Sequence, residues 1–300
     1  MIKLFQKSFK ITNENIILTT PLVLFLLLFV VYIEVAQKAP DNVFSVILLV
    51  VTTLFMVSAF FAGWLYMVKK AVELNKREFI LDEDKTKASF ALLKEIPSGV
   101  GEYFLSFIGC IIFYVLFFVF MGAIAYVIGI HFIGKVNITL DQILGALQSP
   151  AQMKSLITSL PMDQLVKLNL WNFLILAFSS LHSFFTMLWT PEIMFRTKNP
   201  FLAFFRALKV TFKNLLSVII LFVYISVLNF VVSIFNSISA INSILYFVSM
   251  LVYFYFVVYV VVLVFLYYED AINKKDKSDS DSGTDSFGQD EVCDRPSEEV

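Results

Sequence analysis

Charged side chains are scarce in this chain: they make up 16% of its 300 residues, whereas soluble domains carry about a quarter. There are only two cysteines, Cys110 and Cys293, and two histidines, too few to predict a disulfide framework or a zinc site. The motifs HExxH, GxSxG, GxGxxG and the P-loop are all missing. These absences argue against a water-facing surface. They predict a protein that is not an enzyme, holds no cofactor or metal, and binds no nucleic acid.

Hydrophobic residues, in contrast, make up 59% of the chain and include 34 phenylalanines. They are concentrated in long runs, and a bilayer core of about 30 Å needs about 20 apolar helical residues to cross it. The runs are continuously apolar, which favours helices over the alternating strands of a barrel. We therefore predict an all-α, polytopic bundle of about six transmembrane helices, near residues 16–36, 43–68, 104–133, 168–190, 214–236 and 243–268.

The first apolar run follows three lysines and has the outline of a secretory signal peptide. The run is long, however, and it leads to Glu34 rather than to a cleavage site of small residues. An uncleaved first transmembrane helix is therefore the better interpretation of the N-terminal segment.

The positive charges are distributed unequally between the two sides of the predicted membrane. If the N-terminus is cytoplasmic, nearly all of the 23 lysines and arginines fall in cytoplasmic segments. The exceptions are Lys38, Lys135, Lys154 and Lys167. Because cytoplasmic loops carry an excess of lysine and arginine, we expect both termini on the cytoplasmic side of a cell membrane.

A basic, aromatic stretch precedes each odd-numbered helix, at residues 4–10, 89–94 and 201–209, and we name these stretches elbows. In the third elbow the apolar residues recur at the spacing of one helical face. Such a segment is typical of a short amphipathic helix at a membrane surface; the alternative is a basic loop whose apolar residues pack on the bundle. The candidate interfacial residues of the third elbow are Phe201, Phe204, Phe205, Arg206, Lys209 and Lys213.

The spacing of these segments indicates an internal repeat. Phe5 precedes Lys69, at the end of the second helix, by as many residues as Phe204 precedes Tyr268, at the end of the sixth. This spacing predicts three elbow-plus-hairpin units, of which the middle one is lengthened by an insertion at 135–167. We expect two short amphipathic helices in the insertion. They would lie on the outer, non-cytoplasmic surface of the membrane, cap the bundle, or dock a protein partner.

The end of the chain differs in composition from the predicted transmembrane domain, residues 1–272. Residues 273–300 are acidic and of low complexity, with too little apolar area to offset the entropy of ordering. The sequence predicts a disordered cytoplasmic tail. Solubilisation and docking of a protein partner are both open as its role.

Polar side chains inside a membrane are costly, so each is a candidate for function. The fourth and fifth helices each carry such residues on one face. The two faces could form a functional seam, in which His182 relays protons or contacts a polar ligand, or they could only hold helices together by hydrogen bonds. The residues of this polar seam are Ser179, His182, Ser183, Thr186, Ser226, Asn229, Ser233 and Asn236.

The third elbow also carries a family resemblance. Residues 198–209 read Lys-Asn-Pro-Phe-Leu-Ala-Phe-Phe-Arg-Ala-Leu-Lys, which fits the pattern NP-x-x-A-x-x-x-A/S-x-K before an apolar helix. This pattern resembles that of bacterial polytopic inner-membrane proteins related to the membrane domain of glycerophosphodiester phosphodiesterases, and of related uncharacterised families. The resemblance covers mainly residues 198–268. It implies the fold and a bacterial inner-membrane location, and it transfers no catalytic residue.

Two functional hypotheses follow from these observations. The first is a non-catalytic integral membrane protein, a scaffold or lipid-interacting factor, whose partners are membrane lipids. The second is a small-solute or lipid transporter that uses the polar seam between helices four and five. They differ in one structural requirement, because transport needs the seam residues to converge on a cavity.

Overall fold

The computed structural model describes residues 1–38, 42–76, 82–137, 145, 149–239 and 241–281. These residues are almost entirely helical and contain no strand. The helices, numbered in chain order, are α1 Ile2–Glu14, α2 Thr19–Ala36, α3 Val43–Leu74, α4 Asp82–Ala91, α5 Glu95–Phe132, α6 Pro150–Ser159, α7 Met162–Thr186, α8 Trp189–Phe195, α9 Pro200–Lys213, α10 Leu215–Ser239 and α11 Ser243–Asp281.

The structure confirms the predicted all-α polytopic bundle. Six helical segments within the described ranges are long and apolar enough to cross a membrane: Ile16–Ala36, Val43–Leu74, Thr86–Phe132, Met162–Phe195, Leu215–Ser239 and Ser243–Ile272. Several extend beyond the predicted bounds. Hydropathy detects only the apolar part of a helix, whereas backbone hydrogen bonding continues through its charged ends.

The fourth crossing segment is broken into α7 and α8. Pro191 lies in the first turn of α8, and a proline has no amide hydrogen to bond the preceding turn. The break places Trp189 where its indole nitrogen donates a hydrogen bond of 2.8 Å to the carbonyl oxygen of Pro200. This bond ties α8 to the start of α9.

The buried core lies towards one end of the bundle, which the charge distribution predicts to be cytoplasmic. It is formed mainly by residues 62–72 of α3, by Leu188 with residues 189–194 of α8, and by residues 258–268 of α11, and these three helices pack on one another. Its fully buried side chains include Trp64, Trp189 and Tyr268. Beyond this core the crossing helices expose many leucines, valines and phenylalanines, a surface suited to lipid tails rather than to water.

Each elbow packs on the second helix of a different hairpin. The first elbow lies in α1, which packs on α11; the turn Leu92–Lys94 of the second elbow packs on α3; and the third elbow lies in α9, which packs on α8. The contacts therefore run in a cycle around the three hairpins. This arrangement agrees with the three units predicted from spacing.

The structure covers the insertion and the tail only in part. In the insertion, α6 begins with Pro150 after Ser149, whose hydroxyl oxygen accepts a hydrogen bond of 3.2 Å from the amide of Gln152. The other amphipathic helix expected there falls on residues 138–148, which lie outside the described residues apart from 145. Helix α11 extends to Asp281, and the predicted disordered tail lies outside the described residues from 282 onward.

Candidate functional site

The polar-seam residues occupy different environments in the structure. His182 is buried, with 1% of its surface exposed, whereas Thr186 and Asn236 are half-buried. The remaining members of the seam are exposed: Ser179, Ser183, Ser226, Asn229 and Ser233. Of the eight seam residues, only His182 is buried.

The imidazole of His182 packs against α5. Its ring lies 4.4 Å from the ring of Tyr114, 5.1 Å from that of Phe117 and 5.4 Å from that of Phe118, measured between centroids. In the described part of the chain its Nε2 atom has no hydrogen-bond partner. The surroundings are therefore those of an aromatic packing contact between the third and fourth crossing segments.

Helix α1, which contains the first elbow, presents three faces. The face buried against the bundle consists of Leu4, Ser8, Ile11 and Thr12. An exposed apolar face consists of Ile2 and Phe9. An exposed basic face consists of Lys3, Lys7 and Lys10. The apolar and basic faces are neighbours on the helix surface because of its 3.6-residue repeat.

Helix α9, which contains the third elbow, has the same division. Its buried face consists of Ala203, Phe204, Ala207 and Thr211. Its exposed apolar face includes Phe201, Phe205 and Phe212. Its exposed basic face consists of Arg206, Lys209 and Lys213.

The division of α9 refines the single apolar face expected from the sequence. Phe204 is only 4% exposed and packs on the bundle, whereas Phe201 and Phe205 are 52% and 63% exposed. Two small residues, Ala203 and Ala207, bring the helix backbone close to the bundle and turn the other phenylalanines outwards. The elbow therefore both packs on the bundle and presents phenylalanines to its surroundings.

The two elbow helices also end in the same way. The side-chain amide of Asn15 donates to the carbonyl oxygen of Ile11 over 3.0 Å, and that of Asn214 donates to the carbonyl oxygen of Val210 over 3.2 Å. Aligning the chain on these two asparagines pairs Thr12 with Thr211, Lys7 with Arg206, and Lys10 with Lys209. The repeat thus preserves the contact with the bundle and two basic positions of each face, whereas Lys3 pairs with Leu202 and Lys213 with Glu14.

A charged and aromatic cluster joins α3, α5 and α8 beside the core. The ammonium of Lys69 donates a hydrogen bond of 2.7 Å to the carbonyl oxygen of Met194 and lies about 6 Å from the ring centres of Tyr66, Tyr103 and Phe195. The Tyr103 hydroxyl also donates to the Met194 carbonyl, over 3.3 Å. This cluster holds the C-terminal end of α8 in place, shortly before α9 begins at Pro200.

Sequence reasoning did not identify this cluster, because its members are far apart in the chain and only folding brings them together. The burial of Glu192 is a second feature that sequence reasoning did not identify. In the structure Glu192 belongs to α8 and is only 1% exposed. A carboxylate inside an apolar run was the one signal in the sequence that could have marked this position.

Among the surface pockets of the described residues, one lies beside the first elbow and another lies on the side of the bundle. One has a volume of about 560 Å³ and lies where α1 and α2 meet α4, with Glu14, Thr19, Thr20, Thr86 and Ser89 among its polar lining residues. The other, of about 610 Å³, is a largely apolar groove between α3 and α5 that ends at Glu102. Glu102 forms an ion pair of 3.0 Å with Lys198.

Among the described residues no group of three or more His, Cys, Asp or Glu side chains could hold a metal ion.

These observations define the class of protein as a multi-pass, helical membrane protein. No family model, no curated protein sequence and no solved structure matches the chain. The resemblance to the membrane domain of glycerophosphodiester phosphodiesterases therefore stays a prediction.

Proposed function

We propose that this chain is a non-catalytic integral membrane protein that acts as a lipid-interacting scaffold. We further propose the bacterial inner membrane as its location, with both termini in the cytoplasm. The observation that carries the proposal is the surface of α1 and α9, where exposed phenylalanines lie beside exposed lysines and arginines on helices anchored to the bundle.

The two exposed faces of such a helix need different surroundings, one apolar and one polar. Burying one phenylalanine side chain is worth about 1.5–3 kcal/mol, so Phe201 and Phe205 are poorly placed in water. At a membrane surface the rings enter the upper acyl-chain region, while Arg206 and Lys209 remain among the head groups. One environment therefore satisfies both exposed faces of the helix.

The position of the core supports a structural role for these helices. Helix α9 packs on α5, α7 and α8, and α1 packs on α11, so both elbows rest on the packed end of the bundle. Phe5 of α1 also stacks on Tyr224 of α10 with ring centroids 3.9 Å apart. Elbows held in this way present a fixed surface to the lipid.

The placement of the polar seam gives the transport hypothesis no comparable support. His182 packs among the rings of α5, and Ser226, Asn229 and Ser233 are exposed. Transport remains an outcome that the following experiment can reveal.

The test is to extract the protein from its own membrane in a lipid-retaining polymer and to identify the retained lipids and solutes by mass spectrometry. Lipids of the surrounding membrane, extracted with the same polymer, are the control. We expect specific lipids to be enriched over that control. A retained lipid composition equal to the bulk composition would contradict the proposal, and a stoichiometric small solute would favour transport instead.

A further inference from the structure

We propose that the basic faces of α1 and α9 are two equivalent binding sites for the head groups of anionic phospholipids. This inference rests on the proposed lipid-binding function and adds to it the class of lipid and the location of the sites. The basic faces, as used below, are Lys3, Lys7 and Lys10 of α1 and Arg206, Lys209 and Lys213 of α9.

The exposed basic faces are complementary in charge to an anionic head group. All six side chains are exposed, and in the described part of the chain only Lys10 has an ion-pair partner on a nearby residue, Glu14 at 3.9 Å. At that distance the pair is weak, and the Lys10 side chain is still 70% exposed. Apart from the weak pair of Lys10 with Glu14, the faces therefore present cationic donors that have no ion-pair partner among the described residues.

The basic side chains supply hydrogen-bond donors that suit a phosphate group. A guanidinium binds two phosphate oxygens at once, and an ammonium offers three N–H donors. On α9 the guanidinium of Arg206 is followed one turn later by Lys209 and then by Lys213, so that several donors lie along one stripe. A phosphodiester with a net negative charge fits this stripe better than a zwitterionic head group, whose own cation is repelled.

On both helices an exposed apolar face adjoins the basic face. Phe205 and Lys209 are four residues apart on α9 and so lie side by side, while Phe9 of α1 lies about 100° around the helix from Lys10. Each basic face therefore has an exposed phenylalanine on the adjoining side of its helix. An acidic protein segment would satisfy the lysines and leave the rings in water. A lipid supplies both the phosphate and the acyl chain, which makes it the occupant that both faces favour.

Basic residues recur at matching positions of α1 and α9. Alignment on Asn15 and Asn214 pairs Lys7 with Arg206 and Lys10 with Lys209, although most other residues of the two helices differ. Both members of each pair are exposed, so packing on the bundle does not account for their shared charge. The cytoplasmic excess of lysine and arginine explains basic residues on this side in general, whereas head-group binding explains why two charges fall at matching positions of both helices.

The test titrates the full-length protein, purified in a neutral detergent, with phosphatidylglycerol and, separately, with phosphatidylcholine of identical acyl chains. Native mass spectrometry gives the dissociation constant of each bound lipid. We expect the first two phosphatidylglycerol molecules to bind more tightly than phosphatidylcholine. The variant K7Q/K10Q/R206Q/K209Q should reduce that preference by about tenfold or more, since each basic residue near a membrane surface contributes measurably to anionic-lipid binding.

The matched control removes the same number of positive charges from the opposite side of the bundle, as K38Q/K135Q/K154Q/K167Q. Its preference should equal that of the wild-type chain. If the fourfold elbow variant does not fold, the pairs K7Q/K10Q and R206Q/K209Q each test one site and should each abolish one preferred phosphatidylglycerol. The conservative pair K7R/K10R should keep the preference of the first site.

The possible outcomes separate this inference from the proposed function. Equal binding of the two lipids by the wild-type chain would overturn the inference and leave a lipid-binding scaffold standing, whereas binding of neither lipid would overturn both. A preference unchanged in the fourfold elbow variant would also overturn the inference. So would a preference that is absent in the full chain and emerges only after deletion of residues 282–300, because the chain's own acidic tail would then be the occupant of the basic faces.

Discussion

Helices α3 and α5 approach each other closely at Gly99, so an added methyl group at this position should destabilise their packing. A Cβ atom at residue 99 would lie 2.5 Å from the Cβ atom of Tyr66 and 2.8 Å from the carbonyl oxygen of Ala62. Neither atom lies at the end of a flexible side chain, so neither can rotate away. Gly101 is two residues further along the same helix, and an added Cβ there meets nothing within 4 Å.

The magnitude follows from two opposing contributions. Forcing a methyl group into a well-packed interface costs about 1–3 kcal/mol, and contact with rigid backbone favours the upper part of that range. Alanine recovers up to about 1 kcal/mol over glycine within a helix. We therefore expect Gly99→Ala to destabilise the protein by about 1–2 kcal/mol, and Gly101→Ala to be neutral or slightly stabilising.

The assay is reversible unfolding in mixed micelles of a mild detergent and sodium dodecyl sulfate, followed by circular dichroism. The comparison of the two glycines cancels the general effect of replacing glycine by alanine in α5. Equal stability of the Gly99→Ala and Gly101→Ala variants would refute the close packing of α3 on α5.

Two further predictions concern polar contacts within the bundle, and the same unfolding assay measures both. Lys69→Met should cost about 2 kcal/mol, because it removes a charged donor from the carbonyl oxygen of Met194 together with its contacts to aromatic rings, whereas Lys70→Met should cost less than about 1 kcal/mol; equal costs would contradict the structure. The hydroxyl groups of Tyr224 and Tyr259 lie 2.9 Å apart, so phenylalanine at either position should cost about 0.5–1 kcal/mol. The double variant should cost little more than either single one, and full additivity would show that the two hydroxyl groups do not interact.

The crossing helices were predictable because hydropathy acts locally. Each apolar run is long enough by itself to require a helix in a bilayer, and the structure places a crossing segment on every predicted run. The bounds were less predictable. Helix α3 continues through Lys69 and Lys70 to Leu74 because tertiary contacts hold its charged end.

The elbows were predictable in kind but not in detail. Periodicity identified the third elbow as amphipathic, yet it did not show which phenylalanines pack on the bundle. That choice depends on Ala203 and Ala207, whose small side chains let α9 approach its neighbours. Small residues carry little hydrophobic signal, so a pattern based on hydrophobicity cannot assign them the contact face.

The polar groups show the limit of reading a sequence one helix at a time. Helical spacing correctly places residues on a face of their own helix, but it does not say which helix lies opposite. His182 faces Tyr114 and its neighbours on α5, and Lys69 meets Met194 from a distant part of the chain. Such pairings depend on how the hairpins are arranged around the core.

The measurement that bears most directly on the central claim is the environment of the elbow helices in a lipid bilayer. Spin labels on single cysteines at positions 9, 10, 205 and 209, in a chain with Cys110 and Cys293 replaced, report access to dissolved oxygen and to a water-soluble nickel chelate. We expect oxygen to relax the labels at 9 and 205 more strongly, and the chelate to relax those at 10 and 209 more strongly. Preferential relaxation by the chelate at all four positions would place both elbows in water and contradict their position at the membrane surface.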